Sequence, residues 1–128
     1  MTRRERLKKL AAVQEQLKAF HEMRHASFRA AAIVAESEAD ALRASFDEKG
    51  SMSSLFPEIY HRRIEQALQR AAKNLTLAEE EVARAAAATA RANMVERAYR
   101  SVRREEERTH GDRERLELIA RARPKDLD

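Results

Sequence analysis

The sequence predicts an all-α protein in which two long helices pair as an antiparallel coiled-coil hairpin, the second helix being the longer. Composition is the first observation. Charged residues make up 38% of the 128 residues and aromatic residues 5%, and the chain has two glycines and two prolines. This profile is typical of long helices and coiled coils. The other two observations are apolar residues that recur at steps of three and four, and one loop-like segment in the first hundred residues.

The first helix is expected over about residues 3–49. Thr2 and Glu5 have the spacing of a capping box, which bonds two backbone N–H groups at a helix start. Gly50 suits the left-handed conformation that follows many helices. The apolar residues that step by three and four are Leu10, Val13, Leu17 and Phe20, followed by Ala31, Ala35, Ala39, Leu42 and Phe46.

Met23 and Phe28 fall between these two apolar sets. A shift of phase in a heptad pattern is the signature of a stutter, which locally changes the winding of a coiled coil. We therefore expect a stutter near Arg24.

Residues 50–54 are the predicted turn, and the second helix is expected over about residues 55–123. Ser54 can cap its start, and Pro57 is tolerated in its first turn because the missing N–H has no partner there. Pro124 stops the helix. Two rows repeat along this helix, Leu68, Leu75, Val82 and Thr89 in one, and Ile64, Ala71, Ala78, Ala85, Ala92 and Tyr99 in the other.

A five-residue turn between long helices forces antiparallel pairing, so residues 1–128 are interpreted as one hairpin. Facing residues then have numbers that sum to about 103, which sets Val13, Leu17 and Phe20 against Ala92, Ala85 and Val82. Large side chains would face small ones and pack closely. The second helix would extend about 20 residues beyond the first, or ~30 Å.

Leu116, Ile119 and Ala120 form a short apolar stripe in this extension, and no part of the first helix would cover it. A long, charged, isolated helix is marginally stable in water. The extension is therefore either frayed or completed by a partner, and we favour the partner.

Charge is unevenly distributed. Residues 1–25 hold seven basic and three acidic side chains, whereas residues 26–60 hold three basic and six acidic ones. In a hairpin both chain ends would form one basic end, which steers acidic partners. The candidate partner-binding residues are Arg3, Arg4, Arg6, Lys8, Lys9, Arg91, Arg97, Arg100, Arg103, Arg104, Leu116 and Ile119, together with Tyr60 and Leu77 beyond the basic end.

Nothing in the sequence indicates catalysis, a cofactor or a metal site. The chain has no cysteine, which excludes disulfides and thiolate chemistry. His21 and His25 have a metal-ligand spacing, but no third ligand accompanies them, so two solvated histidines are expected. Adjacent glutamates in residues 79–81 and 105–107 splay around a helix and are read as solvated charge. We therefore predict a protein that is not an enzyme and binds no small molecule.

The chain lacks the ~20 consecutive apolar residues that a membrane-spanning helix needs. Its basic first residues have no apolar run or cleavage site of a signal peptide. A cytoplasmic protein is expected.

Three segments resemble the FliJ family of flagellar type III export proteins and its injectisome counterparts, the YscO group. They are the opening RERLKKLAAVQEQ, the entry to the second helix LFPEIYHRRIEQALQRA, and the tail DRERLELIARARPKD. The resemblance covers nearly the whole chain, and its motifs are of low specificity. One departure is the run AAAIVAESEADALRA, which lacks the exposed aromatics that the family uses to bind the export gate. Tyr60 is the best match to such an aromatic.

The resemblance implies a stalk like that of the rotary ATPase γ subunit, monomeric when isolated. Its terminal end would enter the hexameric export ATPase, and its flank would contact the export-gate membrane protein and export chaperones. The protein would lie at the periphery of the membrane-embedded export apparatus, in a flagellar or an injectisome system.

Two other functions stay open on the residues alone. One is a generic coiled-coil adaptor or chaperone, including one that pairs its helices between two chains. The other is nucleic-acid binding, which is less expected because acidic residues interrupt the basic ones and no aromatic is interleaved among them.

Overall fold

Two long α-helices dominate the chain in the computed structural model, which describes residues 1–123. Helix α1 spans Arg3–Ala44 and helix α2 spans Pro57–Ala122. Two short 3-10 helices, Ser45–Asp47 and Met52–Ser54, lie between them. The described residues contain no strand. The all-α class with a longer second helix is therefore confirmed.

The start of α1 has the predicted capping box. The backbone N–H of Thr2 donates to Glu5 Oε2 over 3.1 Å, and the N–H of Glu5 donates to Thr2 Oγ1 over 3.2 Å. Two backbone donors that have no partner inside the helix are thus satisfied by side chains only three residues away.

Helix α1 ends at Ala44, earlier than the expected end near residue 49. Ser45 Oγ donates to the carbonyl of Leu42 over 2.6 Å, and the chain tightens into a 3-10 helix there. Serine competes in this way with the backbone bonds of a helix. Gly50 has a φ of 77°, the predicted left-handed conformation, but it lies inside the connection and does not directly follow α1.

Helix α2 begins at Pro57, which occupies the first turn as predicted. The predicted capping role of Ser54 is wrong, because its hydroxyl donates to the carbonyl of Ser51 within the 3-10 segment. Ser53 is buried instead, and its hydroxyl donates to the carbonyl of Ser45 over 2.9 Å. The connection is therefore held by its own serines.

The chain divides into two compact units. One is Gln16–Ala88, and the other combines Met1–Glu15 with the segment that starts at Thr89. The unit of residues 16–88 carries ten basic and eleven acidic side chains, whereas residues 1–15 and 89–123 carry fifteen and nine. The first unit is nearly neutral and the second is basic.

A small apolar core closes the unit of residues 16–88 near the connection. It consists of buried Ala39, Leu42, Ile64 and Ala67, with Tyr60 packed against it. These residues come from both helices and supply most of the larger buried apolar side chains of the chain.

Phe46 extends this core with ring contacts. Its ring centroid lies 6.0 Å from that of Tyr60, edge to face, and 4.8 Å from that of His61, stacked. The hydrophobic plug expected at the turn is thus formed by Phe46 and Tyr60. The other residues expected in it are exposed: Leu55, Phe56 and Ile59.

The less exposed residues of each helix recur at alternating steps of four and three, and we call each series a seam. The seam of α1 is Leu7, Ala11, Gln14, Lys18, His21, His25, Phe28, Ala32, Ala35, Ala39 and Leu42. The seam of α2 is Tyr60, Ile64, Ala67, Ala71, Asn74, Ala78, Glu81, Ala85, Ala88, Ala92, Val95, Tyr99 and Val102. Both seams are made largely of alanine and polar residues.

The seams correct part of the sequence interpretation. The predicted row from Ile64 to Tyr99 is confirmed, since all its members lie in the seam of α2. The row Leu68, Leu75 and Val82 is wrong as a seam, because these residues are 38 to 50% exposed. The apolar set of α1 is wrong for the same reason, since its members are also exposed: Leu10, Val13, Leu17 and Phe20. Their expected pairing with Ala92, Ala85 and Val82 therefore fails.

The physical reason is that both faces of each helix share the spacing of a heptad, so spacing does not select between them. Alanine lets two helix backbones approach closely, and the seam is built on those small residues. The stutter predicted near Arg24 is also wrong, because Met23 is exposed outside the seam and Phe28 lies within it.

Candidate binding surfaces and a buried polar cluster

A buried carboxylate lies in the seam of α2. The side chain of Glu81 is 1% exposed and accepts hydrogen bonds from both helices. His21 Nδ1 of α1 lies 2.6 Å away, Arg24 Nε of α1 lies 3.1 Å away, and Arg84 Nη1 of α2 lies 2.8 Å away. We call these four residues the Glu81 cluster.

The histidines of the α1 seam are held by hydrogen bonds. An ionised carboxylate only accepts, so the proton of the His21–Glu81 bond lies on His21 Nδ1. His25 Nδ1 lies 3.0 Å from the carbonyl of Ala78, which also only accepts. The expectation of two solvated histidines is therefore wrong, and so is that of a solvated Glu81, although Glu79 and Glu80 are exposed.

Two opposing influences act on the pKa of Glu81. Burial is the largest single one and raises the pKa, because it disfavours the charged form. Hydrogen bonds from His21, Arg24 and Arg84, together with the charge of Arg24, lower it by more. The net pKa lies below the ordinary value of 4.5, so Glu81 is ionised at neutral pH.

Arg24 also covers aromatic rings. Its guanidinium lies 5.5 Å from the ring centroid of Phe20 and 5.3 Å from that of Phe28. Its cation–π contacts and its ion pair with Glu81 thus use one side chain. The cluster links α1 to α2 through charge-assisted bonds, and among the described residues no set of three or more potential metal ligands converges.

The sequence signal for this cluster was present but was read differently. Gln14, Lys18, His21 and His25 are consecutive members of the α1 seam, and Asn74 and Glu81 recur seven residues apart in α2. Polar residues at consecutive seam positions of a coiled coil specify register, at a cost in stability. The interpretation failed because it assigned the seam to the largest apolar side chains.

The predicted basic residues fall in one unit. Four of them, which we call the arginine surface, line a shallow depression on α2 together with Glu107: Arg97, Arg100, Arg103 and Arg104. Arg100 donates to Glu96 over 2.7 Å and Arg103 to Glu107 over 3.2 Å. Within residues 1–123, Arg97 and Arg104 have no ion-pair partner, so the surface keeps uncompensated positive charge.

Arg4 is the predicted basic residue that contacts the other helix. It lies 3.6 Å from Glu106 and 6.0 Å from the ring centroid of Tyr99. Its hydrogen bond with Tyr99 is the largest influence that raises the pKa of Arg4, and Glu106 adds to it. The remaining predicted basic residues are exposed: Arg3, Arg6, Lys8, Lys9 and Arg91.

The predicted tail stripe is exposed. Leu116 and Ile119 are both 65% exposed, and Ala120 is exposed as well. In the described part of the chain, no hydrogen bond or ion pair joins residues 107–123 to α1. The other two candidates lie in the unit of residues 16–88, where Tyr60 and Leu77 are half-buried.

The chain matches no protein-family model, and no curated protein or solved structure shows a significant match to it. None of its described helices is long and apolar enough to cross a membrane.

Proposed function

We propose that α1 and α2 run antiparallel as a coiled-coil hairpin. Contacts within the unit of residues 16–88 support this arrangement. His21 contacts Glu81, His25 contacts Ala78, and the ion pair between Glu38 and Arg70 measures 2.8 Å. Residue numbers on α2 fall as those on α1 rise, which is the order that antiparallel helices give.

A crosslink between the two helices tests this hairpin. Because the chain has no cysteine, Glu38→Cys/Arg70→Cys introduces the only two thiols. A short bis-maleimide is expected to join them within one chain, so that a denaturing gel shows monomers of increased mobility. Glu38→Cys with Arg121→Cys is the control, which should not react in this way. A ladder of crosslinked dimers from the first variant would instead indicate helices that pair between chains.

We further propose that the hairpin is a stalk of the FliJ and YscO type, which binds a hexameric export ATPase and couples it to the export gate and its chaperones. The arginine surface carries this proposal. Its four side chains lie together on one helix, in the unit with fifteen basic and nine acidic residues. Uncompensated positive charge on an exposed helix face suits an acidic protein surface. Cytoplasmic work beside a membrane-embedded apparatus follows from the same proposal.

Charge reversal of the arginine surface tests the stalk. The variant replaces Arg97, Arg100, Arg103 and Arg104 with glutamate. Stimulation of ATP hydrolysis by a hexameric export ATPase is expected to fall about ten-fold or more, because attraction becomes repulsion. Helicity measured by circular dichroism should stay unchanged, since these side chains are exposed.

A matched control reverses four exposed basic residues of the other unit: Arg29, Arg62, Arg63 and Lys73. It should keep the stimulation. If both variants stimulate as the wild type does, the arginine surface is not the ATPase-binding site. Client binding without any ATPase stimulation would favour the generic adaptor or chaperone.

A further inference from the structure

The unit of residues 16–88 has an inverted distribution of apolar side chains. Eight of the ten buried apolar residues of the chain are alanines, the other two being Leu42 and Ile64. Larger apolar side chains lie outside the seam. Three of them follow one line along α2 at intervals of seven, and we call them the α2 stripe: Leu68, Leu75 and Val82.

The members of the α2 stripe are 38%, 41% and 50% exposed. Ala72 and Ala86 follow Leu68 and Val82 by four residues, so the stripe has the alternating four and three spacing of a second seam. In a coiled coil such spacing marks a face that packs against another helix. Helix α1 already occupies the first seam of α2, so the second seam lacks a helix.

We infer that a second copy of this chain covers the α2 stripe, so that two α2 helices pack antiparallel about a two-fold axis at Leu75. A two-fold interface uses the same patch on both partners. The stripe is symmetric about Leu75, which would meet Leu75 of the other copy while Leu68 meets Val82. This inference is independent of the arginine surface and replaces the monomer expected from the sequence.

The exposed area is sufficient for such a dimer. The chain exposes 10323 Å², whereas a folded monomeric protein of its mass exposes about 6,900 Å². The excess is about 3,400 Å², more than the ~1,000 Å² per partner that a permanent dimer buries at least. Association would remove water from apolar area that the Ala-rich seam leaves exposed.

Charge favours a second copy over an acidic partner at this face. The unit of residues 16–88 has ten basic and eleven acidic side chains. A nearly neutral unit neither repels its own copy nor attracts an acidic protein strongly. The excess positive charge belongs to residues 1–15 and 89–123, outside the stripe.

Sedimentation equilibrium of the full chain tests the dimer. The wild type is expected to have twice the chain mass of 14.7 kDa. Leu75→Glu should weaken association by ~100-fold or more, because the two-fold axis would oppose two carboxylates in a desolvated contact. Met23→Glu is the matched control, since Met23 is 63% exposed in the same unit and lies outside both seams. That variant should remain dimeric.

Circular dichroism of each variant accompanies the mass measurement. If Leu75→Glu loses helicity, the uncharged Leu75→Gln takes its place, with the same expected direction. A monomeric wild type would overturn the inference. So would a dimer that persists in a helical Leu75 variant, because helices swapped between chains would use the first seam. A mass that keeps rising with concentration indicates open-ended association and also overturns it.

Discussion

Removing both arginines that donate to Glu81, in the variant Arg24→Ala/Arg84→Ala, is expected to lower Tm by roughly 10 °C at neutral pH. The carboxylate is 1% exposed, whereas Arg24 and Arg84 are 45% and 53% exposed. Truncation therefore frees the arginine side to water but leaves a buried negative charge with His21 as its remaining donor. Breaking one side of a buried ion pair is far more costly than the net contribution of the intact pair.

The dependence on pH identifies the carboxylate as the cause. In the wild type the folded pKa of Glu81 lies below its ordinary value of 4.5. Its contribution to stability is thus present above pH 4.5 and is lost as the pH falls through the folded pKa. In the double variant burial acts with fewer opposing bonds and raises the pKa. The difference in Tm between wild type and variant should shrink as the pH falls below 4.5.

Arg29→Ala/Arg62→Ala is the control for this experiment. It removes the same charge from the same unit, and within the described chain neither residue forms an ion pair. Its Tm should stay close to that of the wild type, because isolated surface charges contribute little. Equal losses of Tm in both variants would attribute the effect to net charge and not to the Glu81 cluster.

The parts of the fold that the sequence predicted correctly depend on residues close together in the chain. Thr2 and Glu5 are three residues apart, and their reciprocal bonds form as expected. Pro57 in a first turn and Gly50 at positive φ follow from backbone sterics alone. Ser45 marks the limit of this local reasoning, because several serines of the connection can bond the backbone and only one of them ends α1.

The buried cluster depends on contacts that are distant in sequence. His21 and Glu81 are 60 residues apart, and nothing near either residue indicates that one meets the other. Leu10, Val13, Leu17 and Phe20 were expected inside because of their size, yet alanines and polar residues form the seams. Hydrophobic size predicts that a helix has a packing face, but close approach of two backbones favours the small residues.

The candidate binding residues were only partly predictable for a related reason. The arginine surface follows from the spacing of Arg97, Arg100 and Arg104 on one helix, which sequence alone provides. That Arg4 contacts Glu106 and Tyr99 requires the two ends of the chain to meet. Exposure of Leu116 and Ile119 follows from the greater length of α2.

Replacing Glu81 itself by leucine is expected to have the opposite effect and to raise Tm by roughly 5 °C at neutral pH. Its seam neighbours Ala78, Ala85 and Ala88 leave an apolar surrounding, so a leucine at this position removes a desolvated charge and adds apolar burial. Arg24 and Arg84 are already half in water and lose no buried partner. Apolar replacement of a buried ionic group is often stabilising for this reason.

Thermal melts at neutral pH and below pH 4.5 separate this account from its alternative. Glu81→Leu should lose the acid-dependent part of the wild-type stability, because the titrating group is gone. Its Tm should therefore exceed that of the wild type by more at acidic than at neutral pH. A Tm lower than that of the wild type at both pH values would mean that the three charge-assisted bonds outweigh the desolvation of the carboxylate. The gain in stability would remove a device that fixes register, since a polar seam position tolerates fewer pairings than an apolar one. Glu81→Leu is thus expected to be the more stable chain and the less specific one, with crosslinks between Glu38→Cys and Arg70→Cys accompanied by products of neighbouring registers.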